Sequence, residues 1–184
     1  MTSSGVFPYL GSSGWYRRWF GSSTFPQPQG HDLVRTLLSA DTTLSLPAQG
    51  GFRRLRHTLS EQSLCALTLS DHAAWPANHL GAIKALYGKA PYFDHYFPAL
   101  QRIYGSVSAG QPLHLFTLAL HNVFFHNLPL RAFFIKSQSQ PLLFAALRSE
   151  RLPQAPDELS VLHAFMNLGP ETPFTLIPQP FIES

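Results

Sequence analysis

Residues 75–96 read WPANHLGAIKALYGKAPYFDHY. Pro76 suits the first turn of a helix, and Trp75, His79, Ile83 and Tyr87 then recur every four residues. On a helix that spacing draws one slowly drifting stripe along a single side. Gly88 stops the helix, Lys89 stands at its C-terminal end, and Pro91 opens a second helix to Tyr104. That second helix carries Tyr92, Tyr96, Ala99, Leu100 and Ile103 on one face. A short loop with a lysine, flanked by aromatic rings, makes either a ligand shelf or a packed corner with a solvated lysine. Aromatic stripes at helical spacing belong mostly to cores.

The chain beyond this stretch also reads helical. Residues 112–127 are apolar almost all round, which predicts a central buried helix. Pro141–Arg151 and Pro156–Leu168 complete the set, with Gly169 and Pro170 as a stop. Upstream the signals change. Ser12 or Ser13 caps a short helix over Trp15–Phe20, and Val6–Leu10 reads as a short strand. Leu33–Leu38 and Thr43–Leu46 flank a turn of small residues and so predict a hairpin. Leu44 and Leu46 alternate with Thr43 and Ser45, the period of a half-buried strand. Leu64–Leu69 reads as a further strand. Strands followed by helices predict an α+β fold. A β-rich half over about residues 1–70 packs on a helical half over about 75–170, with an extended tail over about 171–184. The whole forms a single domain, 1–184.

Composition narrows the function classes. The 184 residues are 45% hydrophobic and 12% charged, about half the usual charged share of ~25%. Charge-driven disorder and a coiled coil are both excluded. The formal charge is +3, and the cations are mostly arginine. Only Arg53, Arg54, Arg56 and His57 form a basic run. Without a basic stripe or an RNP motif, no nucleic-acid partner is expected. The opening residues hold neither a basic start nor a continuous apolar core, so no signal peptide is expected. No stretch reaches the ~20 apolar residues that span a bilayer. A cytoplasmic protein with no membrane span is expected. The single cysteine, Cys65, lies in an apolar run and reads as a small buried hydrophobe.

The chemical motifs are sparse. His114 and His121 lie seven apart, as do His72 and His79, but no Cys or carboxylate completes a metal set at recognisable spacing. Neither a metal nor a cofactor is expected. No nucleophile elbow, phosphate loop or dinucleotide fingerprint is present.

The stretch from Trp75 to Tyr96, with His79, Ile83 and the run from Tyr87 through Phe93, resembles the WbqC-like protein family. So do Phe7 to Leu10 with the aromatic helix after it, Leu38 to Asp41 leading into Leu44 to Pro47, and Gly50 and Gly51 with the Arg run. Leu159 to Leu162 and Phe165 to Glu171 are similar to its C-terminal helix and stop. His31 and Arg35 represent that family's early histidine-and-basic region. The sequence departs from the pattern at Leu80, at His163, and in the shortened segment Arg151–Pro156. Members occur with bacterial O-antigen and other surface-polysaccharide genes. The resemblance therefore implies a pathway context more than a reaction.

Two functions follow from different classes. In the first, the chain is a transferase acting on a sugar nucleotide, with group or amide transfer to a nucleotide-linked (amino) sugar. Arg53, Arg54 and Arg56 would bind the diphosphate through bidentate hydrogen bonds. His79 would be the general base, Lys89 would neutralise developing negative charge, and Tyr87 would orient the substrate. Trp75 and Tyr92 would complete the binding set. In the second, the chain is a non-catalytic binding or assembly module, and its aromatic residues are core or docking face. The first requires the His79 imidazole to meet solvent beside the guanidinium groups.

Overall fold

The computed structural model of the chain describes residues 6–22, 25–28, 31–48, 66–70, 74–125 and 156–176. Among these, α1 spans Ser13–Phe20, β1 Arg35–Ser39 and β2 Thr42–Ser45. The helices α2 (Trp75–Tyr87), α3 (Phe93–Gly105) and α4 (Leu113–Phe125) follow. A last group holds α5 (Val161–Leu168), a 3-10 turn (Gly169–Glu171) and α6 (Thr172–Leu176). The architecture is α+β, a two-stranded antiparallel sheet with helices that lie mostly C-terminal to it.

Local chemistry accounts for most boundaries. The Ser12 side chain accepts from the Trp15 N–H and starts α1, and Ser160 caps α5 in the same way through Leu162. These serines each satisfy one of the donors that a helix start leaves open. In the hairpin, Arg35 faces Ser45, Thr36 faces Leu44, and Leu37 faces Thr43. An irregularity after Leu37 lets Ser39 pair with Thr42. Thr36, Leu38 and Leu44 point inward and their neighbours outward, as period two requires.

The α2 stripe is the buried side of the helix: Trp75, His79, Ile83 and Tyr87 all lie inside. Helix α3 packs between α2 and α4, and also touches α5, while α1 contacts α5 and α6. Tyr9, Trp75, His79, Tyr104 and Phe116 form one aromatic cluster. Phe7, Trp15, Tyr16, Trp19, Phe25, His121 and Phe125 form another.

Several elements differ from the sequence expectation. Val6–Leu10 is not a strand. Its chain turns at Tyr9 and Leu10, and Leu10 has φ +43°. Thr68 and Leu69 form only isolated bridges, to Pro112 and Ala48. Helix α3 starts at Phe93, and its buried face is Phe93, Tyr96, Phe97, Leu100 and Tyr104. Tyr92, Ala99 and Ile103 are half-buried because the packed face lies one position round. Helix α4 is not enclosed all round: Leu115 and Leu118 are 48% and 37% exposed, since its packed side is the one with Phe116, Leu120 and Phe124. Helix α5 begins at Val161, where the Ser160 cap stands, not at Pro156. The tail expected to be extended from 171 is helical over Thr172–Leu176, where the Thr175 hydroxyl donates to the Thr172 carbonyl. Cys65 and the segment Pro141–Arg151, expected to be helical, lie outside the described residues.

Two histidines sit in the core. Tyr9 Oη is 2.8 Å from His79 Nδ1 and 2.5 Å from Tyr104 Oη. Tyr16 Oη is 3.0 Å from His121 Nδ1. Burial pushes the His79 imidazole down to about 4, against a smaller opposing pull from Ser45, and pushes His121 down to about 3. Both are neutral in the native protein at pH 7.

Lowered folded-state values mean that the unfolded chain binds protons the native chain refuses. Stability is full above the unfolded value near 6.5. It falls as pH drops from there towards about 4 for His79 and about 3 for His121. Each histidine accounts for a few kcal/mol, to order of magnitude. Urea denaturation at pH 7.5 and pH 4.5 should show a large drop in midpoint for the native sequence. A smaller drop is expected in His79→Gln and in His121→Gln, and an unchanged drop in both would acquit the histidines.

Gly169 gives a separate expectation. Its φ of +57° and ψ of −132° suit glycine alone, and an added Cβ would lie 2.5 Å from the Tyr92 ring. Gly169→Ala should lower stability by about 1–3 kcal/mol. Gly105→Ala, where nothing lies within 4 Å of the new Cβ, should not. Thermal unfolding of the two variants compares them directly.

Candidate functional site

The turn at Pro8–Ser12, the hairpin and the lead-in to α5 meet around an open cleft of about 240 Å³. Pro8, Gly11, Trp15 and Leu37 form its apolar part. Ser12, Thr36 and Thr43 add hydroxyls, and His31, Asp32, Arg35 and Glu158 add ionisable groups. His31 Nε2 lies 3.0 Å from Asp32 Oδ1. Arg35 is exposed on β1, facing Ser45 across the hairpin.

The walls are fixed by main-chain bonds. The Tyr9 N–H donates to the Asp32 carbonyl at 3.1 Å, and Ser160 N–H donates to Leu37 at 2.8 Å. Val161 N–H donates to Gly11 at 2.8 Å. Gly11 is confined to glycine because a Cβ there would lie 2.5 Å from Pro8 Cγ. Trp15 is 2% exposed and wedged edge-on against Phe7, Tyr16 and Phe25. Its buried indole N–H finds no acceptor. A buried unpaired donor costs about 1–3 kcal/mol, which marks this wall as unusual.

The amide groups at the start of α1 are already used. Ser13 N–H donates to Leu159 and Gly14 N–H to Asp157. Trp15 N–H goes to the Ser12 hydroxyl and Tyr16 N–H to the Ser12 carbonyl. Arg17 closes the same junction through an ion pair with Asp157 and a bond from its Nε to the Thr175 carbonyl.

Of the residues singled out from sequence, those among the described residues do not line this cleft. His79 is 7% exposed, with Trp75, Tyr9 and Tyr104 against it. Tyr87 is buried and its hydroxyl donates to the Leu38 carbonyl at 2.7 Å. Burial raises the Tyr87 phenol above its ordinary value, so it stays protonated. Trp75 is buried. Lys89 is exposed beyond the end of α2, about 15 Å of helix rise from His79. Tyr92 is half-buried beside Gly169. Arg53, Arg54 and Arg56 lie outside the described residues. Of the expected catalytic group, Lys89 alone is exposed, while the His79 ring is 7% exposed among aromatic neighbours.

Asp32, Glu158, Trp15 and Thr36 were not picked out as site residues. His31 and Arg35 are the sequence signal closest to them, four residues apart, with Arg35 opening β1. The hydroxyl of Thr36 is not free to act on a ligand, since it donates to the Leu10 carbonyl. Among the described residues no group of three or more His, Cys, Asp or Glu could hold a metal ion, and no helix is long and apolar enough to cross a membrane.

Comparison with known proteins adds one finding. The family model for the WbqC-like protein family matches residues 54–153. No curated protein and no solved structure matches the chain. The matched segment holds Arg54, Arg56, Trp75, His79, Tyr87, Lys89 and Tyr92, whereas the cleft is built from residues on either side of it. The match takes in more than half of the sequence, and the chain belongs to the WbqC-like protein family.

Proposed function

We propose that the chain is an enzyme of bacterial surface-polysaccharide (O-antigen) assembly that transfers a group, in an amide-forming step, to a nucleotide-linked amino sugar. The observation that carries this is the cleft, which places an arginine, a histidine and two carboxylates around an apolar wall. Carboxylates and guanidinium groups are the side chains that hold sugar hydroxyls and phosphates by directed, charge-assisted hydrogen bonds. Family membership supplies the pathway context that the resemblance implies.

In this proposal the ligand's sugar lies in the cleft, and His31 is the imidazole placed to move a proton there. Arg53, Arg54 and Arg56 contact the diphosphate. In sequence they lie between Ala48 and Leu69, which form an isolated bridge. His79, Tyr87 and Trp75 act as framework, and Lys89 is a solvent-facing cation.

A non-catalytic binding module is the second reading. The burial of both His79 and Tyr87 favours it, because it removes two of the expected catalytic groups from solvent.

Calorimetry with a panel of nucleotide-linked sugars should give measurable binding. Arg54→Ala should weaken it about tenfold, the loss of one charge-assisted pair. Absence of heat across the whole panel would remove the proposal. Binding with no turnover in any acyl or group donor would favour the module.

A further inference from the structure

We infer that the cleft takes the amine-bearing ring of the ligand and not its phosphates, with Asp32 and Glu158 as the groups that select a protonated amine. The inference rests on the cleft being the ligand site and adds what part of the ligand it receives.

The charge of the described lining is the first support. Asp32 and Glu158 oppose one guanidinium, that of Arg35. The lining is therefore at −1 when His31 is neutral and at zero when it is protonated. In neither state does it offer net attraction to a diphosphate. An ammonium on a sugar ring is attracted in the first state and not repelled in the second.

The second support is independent of charge. Anions commonly bind where helix-start amides point at them. Here the cleft runs past Ser12 and Trp15, yet the N–H groups of Ser13, Gly14, Trp15 and Tyr16 all donate to protein oxygens. None of these four amides is left for a phosphate. What the lining does offer a sugar hydroxyl is the side chain of Thr43, exposed on β2.

Size is the third. A volume of about 240 Å³ is below the roughly 300–1,000 Å³ of sites for drug-sized ligands. It suits a single ring rather than a whole sugar nucleotide.

The test uses the intact protein and free monosaccharides. Titration at pH 7, followed by NMR, compares a 2-amino-2-deoxyhexose with its N-acetyl form and with the parent hexose. Inorganic pyrophosphate is the fourth probe. The amine form should bind at least fivefold more tightly than the other two sugars. The double variant Asp32→Asn with Glu158→Gln should lose that preference while retaining its unfolding midpoint, since Glu158 is exposed and Asp32 is half-exposed. Equal binding of the three sugars would overturn the inference. So would pyrophosphate shifting the cleft resonances and gaining affinity in the double variant. Nucleotide-sugar binding that persists without an amine preference sinks this inference alone. Loss of binding to every sugar and every nucleotide sugar sinks the proposed function with it.

Discussion

The carbonyl oxygen of Leu10 joins three parts of the chain that are far apart in sequence. It accepts the Thr36 hydroxyl at 2.9 Å and the Ser160 hydroxyl at 2.6 Å. The leucine itself sits at φ +43°, a region that disfavours a side chain by about 1–2 kcal/mol. Such a conformation persists only where its surroundings over-determine it. Two buried hydroxyls on one carbonyl do so, backed by Val161 N–H on Gly11 and Ser160 N–H on Leu37. The hairpin, the N-terminal turn and the start of α5 are thereby held in one arrangement. The cleft is the space left between them.

The same turn reaches into the core. Tyr9, next to Leu10, bonds Tyr104 of α3 and His79 of α2. Tyr87 of α2 reaches the sheet as well, its hydroxyl donating to the Leu38 carbonyl of β1. A run of polar contacts thus ties both central helices to the sheet through hydrocarbon, where an unpaired polar group is heavily penalised. Burial raises the Tyr9 phenol, with the neighbouring Tyr104 adding to it. The phenols stay protonated and the imidazole stays neutral. A cluster with no net charge, and a partner for each of these groups, is one that a core can keep. Replacing any member strands its neighbours, which is why residues with reactive chemistry serve here as fasteners.

How much of this could be read from the letters depends on the range of the interaction. The Ser12 cap, the hairpin around Ala40, the stop at Gly88 and the stop at Gly169 are local, and the sequence carries them. The α2 stripe also carried its own answer. A residue that shares a face with Ile83 at helical spacing is buried by the same geometry, and His79 shares that face. Imidazole chemistry drew the functional reading to His79, but chemistry says nothing of exposure. Leu10 was legible to no local rule. Its conformation exists because Thr36 and Ser160 arrive from elsewhere, and a five-residue apolar run gives no sign of them. The cleft was hidden for the same reason: Asp32 and Glu158 become neighbours of one space only after the α5 lead-in docks.

The division of labour between the cleft and the rest of the chain follows from where charge can be placed. An apolar protein with few ionisable groups has little with which to bind a ligand of mixed character. The described lining puts more carboxylate than guanidinium at the cleft. The densest cationic run, Arg53 to Arg56, lies outside the described residues. A carboxylate-rich lining attracts an ammonium more than an anion, and the pinned turn at Leu10 sets where that attraction acts.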